Sequence, residues 1–166
     1  MRKKQAGYGI LIFILITIVL GALLAASLSG GTSVASMMAN NNASQMIVAQ
    51  AGLIRSRILQ CGTEYPSGNN GTAFRVIYPA ATGLTNVSAL TCPGNATNLW
   101  SQSDGVAMPV SISGFTAWQF ANDATSMRLT TTSTTTDRTA ILPNVVTLLG
   151  AQSSYAGSTL TWTLAQ

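Results

Sequence analysis

Few side chains in this chain of 166 residues are of a type that does catalytic chemistry. There is no histidine, and the only lysines are Lys3 and Lys4, so the rest of the chain lacks the usual nitrogen bases that activate a serine, threonine or cysteine. A glycosidase needs two facing carboxylates, and the acids here are scattered singly. They are Glu64, Asp104, Asp123 and Asp137. These residues do not favour an enzyme.

Neither a metal nor a cofactor is predicted. Isolated carboxylates do not supply the closely spaced oxygen ligands of a calcium loop, and a zinc site would need ligands that this chain, without histidine and with only two cysteines, lacks. The glycines form neither a GxGxxG turn nor a Walker loop, so nucleotide binding has no support. We therefore expect a protein that acts through its surfaces.

An uncharged apolar stretch, Tyr8–Leu28, follows the basic cluster Arg2, Lys3 and Lys4. As a helix it would be roughly 31 Å long, close to the roughly 30 Å hydrocarbon core of a bilayer. A lone strand would leave backbone polar groups unpaired in lipid, so a helix is favoured. The next positive charge is Arg55, and this charge bias predicts a single pass with a cytoplasmic amino terminus and an exported remainder.

The exported part is nearly neutral. Three of the eight cations lie in the first four residues, which leaves five cations against four acids. Such a chain has no basic surface for a phosphate backbone, so no nucleic acid partner is expected. The residues after Gly62, roughly 105 of them, suffice for one small domain.

Cys61 and Cys92 are the only cysteines, and both lie in the exported part. An oxidising compartment would let them pair. We expect a disulfide that closes a loop of about thirty residues and stabilises the fold by roughly 3 kcal/mol on the chain-entropy estimate.

Two interpretations fit the amino terminus. One is a secretory signal peptide cut near Ala25 and Ala26, although the apolar run exceeds the usual length of roughly 7–15 residues and has no clear A-x-A site. The other rests on KKQAG followed by Tyr8 and about twenty mostly apolar residues, which resemble a type IV prepilin or pseudopilin leader. The resemblance implies that a prepilin peptidase cuts between Gly7 and Tyr8 on the cytoplasmic face, and that Tyr8 is then N-methylated.

The chain departs from the resembled family at Ile12. Most type IV pilins carry a glutamate at this place, four residues after the new terminus, which pairs with the terminal amine of a neighbouring subunit. An isoleucine cannot do so, and an unpaired buried charge is costly. The departure favours a minor or tip-located subunit over an abundant shaft subunit. A signal anchor with a coincidental glycine would look similar.

The chain beyond the apolar stretch continues with a helical pattern to Cys61. Gly30 and Gly31 predict a kink or melted turn, after which Thr32 or Ser33 caps an amphipathic section, 32–61. Its three-to-four spacing joins Met46, Ile47, Gln50, Leu53, Ile54, Arg57, Ile58 and Cys61. We expect the apolar members to pack on a carboxy-terminal sheet, with a partner-helix surface as the alternative, and Arg55 and Arg57 to lie largely off the stripe. Gly62 is predicted as a left-handed stop before Pro66.

The remaining sequence has the shorter period of β-strands. The predicted antiparallel strands are 72–78, 106–113, 117–120, 127–132 and 159–164. A loop over 80–98 carries Cys92, and 141–149 is ambiguous between helix and strand because of Pro143. Trp100, Trp118 and Phe120 are expected to fill the core rather than form an adhesive or sugar-binding surface.

These observations predict an α+β chain in three parts: a leader, 1–7; a membrane and amphipathic helix, 8–61; and a β-rich exported domain, 62–166. The resemblance implies a pilin-like subunit that partners other subunits through its helix, first in a bacterial inner membrane and then in a periplasmic or extracellular filament. The competing hypothesis is a secreted or membrane-anchored binding module that does not polymerise.

Overall fold

The computed structural model describes residues 6–66, 68, 75, 77–94, 98–101 and 104–165, with side chains from residue 35 onward except at 82. The chain divides into two units, Met1–Asn40 and Asn41–Gln166. The described residues of the first unit are helical. The second unit is α+β and consists of a helix packed on an antiparallel sheet.

The amino-terminal helix, α1, spans Ala6–Glu64. It is helical at Gly30 and Gly31, so the predicted melted turn and the second cap at Thr32 or Ser33 are wrong, whereas the alternative of a kink stays a prediction. Each glycine weakens a helix by only about 1 kcal/mol relative to alanine, which a long helix tolerates.

The predicted stop at Gly62 is also wrong, because this residue is helical and α1 ends two residues later. A different constraint explains the glycine. A Cβ at Gly62 would lie 2.6 Å from Cε1 of Tyr78, so a larger residue would collide with the ring. Pro66 follows the end of the helix, where its missing N–H costs nothing.

In the described part of the chain, no helix is both long and apolar enough to cross a membrane. The predicted segment Tyr8–Leu28 belongs to the part of α1 whose side chains lie outside the described residues.

Five strands form one antiparallel sheet: β1 (Ala81–Asn86), β2 (Gln119–Asn122), β3 (Met127–Thr132), β4 (Ser153–Ala156) and β5 (Thr159–Ala165). Their spatial order is β1-β2-β3-β5-β4. Two short helices connect β3 to β4, namely α2 (Thr136–Thr139) and α3 (Leu142–Leu149). The ambiguous stretch 141–149 is therefore mainly helical, with Pro143 in the first turn of α3.

Three of the predicted strands are present with the same or shifted bounds. The bounds of β3 agree with the prediction, β5 extends one residue further, and β2 begins two residues later than predicted. The predicted loop over 80–98 instead holds β1 and a 3₁₀ turn, Val87–Ala89. Strand β4 was not predicted, and it is made mostly of small residues.

At the described residues of the other two predicted strands, the structure has no strand. Residues 106–113 are described and are not a strand; side chains of α1 hold this stretch instead of a neighbouring strand. Of the predicted strand 72–78, residues 72–74 and 76 lie outside the described residues, and Arg75, Ile77 and Tyr78 lie in turns and bends.

The core of the second unit lies between α1 and the sheet. The inner face of α1 recurs every three or four residues, as predicted: Ala43, Ile47, Ala51, Ile54, Ile58 and Cys61 are buried. Phe120, Leu129 and Leu160 are fully buried in the same core cluster. Each large side chain buried here contributes about 1.5–3 kcal/mol. Trp118 is also buried and Trp100 packs against the cluster, which confirms their predicted placement.

Cys61 and Cys92 lie at disulfide distance, with their Cα atoms 5.4 Å apart. The bond ties the last turn of α1 to the chain that follows β1. This placement is consistent with the predicted disulfide.

Candidate interaction surface

The residues of the predicted leader junction are only partly described. Gly7 and Tyr8 lie in the first turn of α1, and their side chains, like that of Ile12, are outside the described residues. Cleavage, methylation and the missing acid therefore stay predictions.

Two of the four acids of the second unit have only local roles. Asp137 lies in the first turn of α2, and Glu64 accepts a hydrogen bond of 2.6 Å from Gln60 Nε2. Within the described part of the chain, no three His, Cys, Asp or Glu side chains come together in a way that could hold a metal ion.

Asp123 organises the turn between β2 and β3. Its carboxylate accepts hydrogen bonds from the backbone N–H and the hydroxyl of Thr125, and it forms an ion pair with Arg128. These contacts, the backbone N–H of Thr125 first, lower the pKa of Asp123 to about 2. The group is an ionised hairpin anchor and is poorly suited to act as an acid.

Arg57, which was predicted to lie largely off the apolar stripe, is buried, and only 3% of the residue is accessible. Its Nη2 lies 2.5 Å from Oδ1 of Asp104, and its Nη1 donates to Oε1 of Gln60 at 2.9 Å. The hydrogen bond from Arg57, followed by one from the backbone N–H of Val106, holds the pKa of Asp104 below its usual value. This ion pair fastens one end of the segment 104–112 to α1.

Gln50 fastens the other end of that segment. Its Nε2 donates to the carbonyl oxygen of Val110 at 2.8 Å, and its Oε1 accepts from Nε1 of Trp118 at 3.0 Å. One amide therefore joins α1, the segment and the residue just before β2. Ile112, two residues beyond Val110, enters the core.

Three apolar side chains around Gln50 are exposed, and we call them the Gln50 patch: Met46, Leu53 and Val110. Their accessible fractions are 52%, 38% and 84%. Met46 and Leu53 lie four residues before and three residues after Gln50, so they flank it on the helix. The exposed helical residues between them, Ala49 and Gly52, are small and uncharged.

The charges near this part of α1 are engaged elsewhere. Arg57 is paired with Asp104, and Arg55 lies over the ring of Trp162, with its Cζ 5.6 Å from the ring centre. The Gln50 patch is thus an apolar, uncharged surface that the hydrogen bonds of Gln50 hold in place. It is suited to packing against another apolar surface.

Sequence reasoning did not separate the two helical members of this patch from the buried face of α1. Met46 and Leu53 were assigned to the same stripe as Ile47 and Ile54, yet the first two are exposed and the last two are buried. Pro109 was the available signal against the predicted strand 106–113, since proline interrupts a ladder. Nothing in the sequence pairs Arg57 with Asp104, 47 residues away.

The chain was compared with protein-family models, curated proteins and solved structures, and none of these comparisons found a match.

Proposed function

We propose that the chain is a type IV pilin-like structural subunit, a minor or tip-located pilin or pseudopilin of a pilus or secretion-type filament. The observation that carries the proposal is the division of α1 into two faces. From Ala43 to Cys61 one face is buried against the sheet, while beside it Met46 and Leu53 of the Gln50 patch leave an uncharged apolar surface exposed. A subunit that joins others through its helix needs both faces.

Two further observations support the proposal. The helix α1 begins at Ala6 and thus includes Tyr8, the residue that the KKQAG junction predicts as the new terminus. The pair Cys61–Cys92 fits a domain that folds in an oxidising compartment.

The proposal assigns each part of the chain a place. Residues 1–7 are removed by a prepilin peptidase, Tyr8–Leu28 holds the subunit in the inner membrane before assembly, and the second unit is periplasmic or extracellular. The partners are other pilin-like subunits, which contact α1 and the Gln50 patch.

The test is mass spectrometry of the mature amino terminus after expression of the full chain with and without a prepilin peptidase. We expect a chain that begins at a methylated Tyr8 only when the peptidase is present. A Gly7→Leu variant should remain unprocessed, because the peptidase must fit a small residue beside the bond it cuts, whereas Ala6→Gly, one residue earlier, serves as the matched control.

A mature chain that begins near Ser27 contradicts the proposal and favours a secreted module that does not polymerise. Unchanged processing of Gly7→Leu contradicts it as well.

A further inference from the structure

The two edges of the sheet differ in how they are protected. The β1 edge carries a register shift between Ala81 and Thr85, and such irregularities discourage a further strand from pairing. The β4 edge pairs with β5 in continuous register from Ser153 to Ala156. It contains no charge and no proline, two of the other usual protections, although it is only four residues long and its first residue, Ser153, bonds through its hydroxyl to the carbonyl of Val146 in α3.

The hydrogen-bonding direction along β4 follows from its hairpin. A two-residue loop, Gly157 and Ser158, joins β4 to β5, so the residues next to the loop bond across the hairpin and alternate residues face outward. The bond from Thr163 N to Gln152 O, 2.8 Å long, fits this alternation. Ser153 and Tyr155 are therefore the outward residues of β4.

Tyr155 is the outward residue with both backbone groups available. The N–H of Ser153 already donates to the carbonyl of Gly150 at 3.0 Å. Among the described residues, Tyr155 has no backbone partner on the outer side of β4. The residue is 45% exposed. Its neighbours Ser154 and Ala156 are small and exposed.

We propose that β4 binds β4 of a second copy in antiparallel register, about a two-fold axis at Tyr155. The N–H of Tyr155 then donates to the carbonyl of the partner's Tyr155, and the reciprocal bond forms by symmetry. The two tyrosine rings become cross-strand neighbours, an arrangement that favours aromatic pairs.

A second copy is the occupant because the edge is complementary to itself. The sequence has no charged residue from Thr139 to Gln166, so two copies bring no like charges together at this edge. The small side chains beside Tyr155 leave room for a facing strand. A two-fold contact also closes at two copies and does not propagate.

The contact is short, and a short edge alone does not hold a dilute dimer together. Pairing therefore depends on a high local concentration, as for chains held in one membrane or one assembly. It requires two copies and not a filament, so it stands or fails separately from the proposed function.

The experiment places the photo-crosslinker p-benzoylphenylalanine at Ser154 of the full chain and irradiates intact cells. We expect an adduct of twice the chain mass whose crosslinked peptide lies within 150–158 of the partner. The same photo-crosslinker at Leu84, an exposed residue on the β1 edge, is the matched control and should give little of this adduct.

Charge substitutions at Tyr155, on the proposed two-fold axis, test the register in which the two β4 strands pair. Tyr155→Lys alone and Tyr155→Glu alone place like charges opposite each other, and each should lower the adduct at least about tenfold, which corresponds to about 1.4 kcal/mol. Co-expression of the two variants, one carrying a mass tag, should restore a mixed adduct. Recovery on mixing excludes misfolding as the cause of the loss.

Three results would overturn the pairing. They are the absence of a double-mass adduct, an adduct that forms equally from Leu84 or maps outside 150–158, and single charge variants that crosslink like the wild type or are not rescued by each other.

Discussion

Arg57 on α1 and Asp104 are joined across 47 residues of sequence by a contact of 2.5 Å between Nη2 and Oδ1. The arginine is buried and the aspartate is partly exposed, with side-chain accessibilities of 4% and 41%. The pair thus neutralises a charge inside the core while its acid stays at the surface. This arrangement makes the arginine depend on its partner.

The first prediction is that Asp104→Asn lowers the free energy of unfolding. The variant leaves the buried guanidinium without its counter-charge, and an uncompensated buried charge is destabilising. Denaturant unfolding of the wild type and the variant measures the effect. Asp137→Asn, at an exposed acid in α2, is the control and should change stability by less than about 0.5 kcal/mol. Equal stabilities for the two variants would show that the ion pair is not needed.

The second prediction concerns pH. The pKa of Asp123 is lowered from 3.8 to about 2 by its hydrogen bonds and its ion pair with Arg128. A lowered folded pKa means that the stabilisation is fully present above the unfolded value and is lost as the pH falls through the folded value. The chemical shift of the Asp123 carboxyl carbon should therefore titrate with a midpoint near pH 2, below the ordinary value of 3.8. In Thr125→Val, which removes one donor to the carboxylate, the midpoint should rise; a midpoint near 3.8 in the wild type would contradict the contacts.

The features that could be predicted from the sequence are those whose interacting residues lie close together along the chain. The buried face of α1 and the bounds of β3 follow from local periodicity, which the sequence displays directly. The edge strand β4 is made mostly of residues with little β propensity, and its pairing with β5 stabilises it as a strand. The Gln50 patch depends on a bond between residues sixty positions apart, Gln50 and Val110, which no local pattern encodes.

The third prediction concerns the disulfide. Replacing both Cys61 and Cys92 with serine should lower the free energy of unfolding by about 2–5 kcal/mol, since the unfolded chain loses its loop constraint. Denaturant unfolding under non-reducing conditions measures the change, and reduction of the wild type should reproduce it. Titration of two free thiols in the native protein would contradict the bond.

The fourth prediction compares two glycines of α1. Gly62→Ala should destabilise the protein by about 1–3 kcal/mol, because the new methyl would lie 2.6 Å from the ring of Tyr78. Gly52→Ala has nothing within 4 Å of the added methyl and should stabilise the helix by about 0.5–1 kcal/mol. Thermal unfolding of both variants distinguishes steric conflict from helix propensity. If both substitutions shifted stability in the same direction, the close approach of Tyr78 would not be the reason for Gly62.

The last prediction concerns Ile12 and follows from the proposed function. A shaft subunit has neighbours of its own kind on both sides, so its terminal amine is buried against another copy. Because Tyr8–Leu28 contains no acid, no side chain of that segment can pair with the amine of a neighbouring copy, and an unpaired buried charge is costly.

A tip subunit has a neighbour on one side only and can place its amine against the acid of a different subunit. We therefore expect this chain in few copies, and only in filaments that contain an acid-bearing major subunit. Quantitative mass spectrometry of purified filaments measures the ratio of the two. Ile12→Glu should raise the share of this chain, whereas Ile12→Leu should leave it unchanged, because only the first supplies a partner for the amine. A shaft made of the unaltered chain alone would show that another group, or a neutral amine, solves the burial problem.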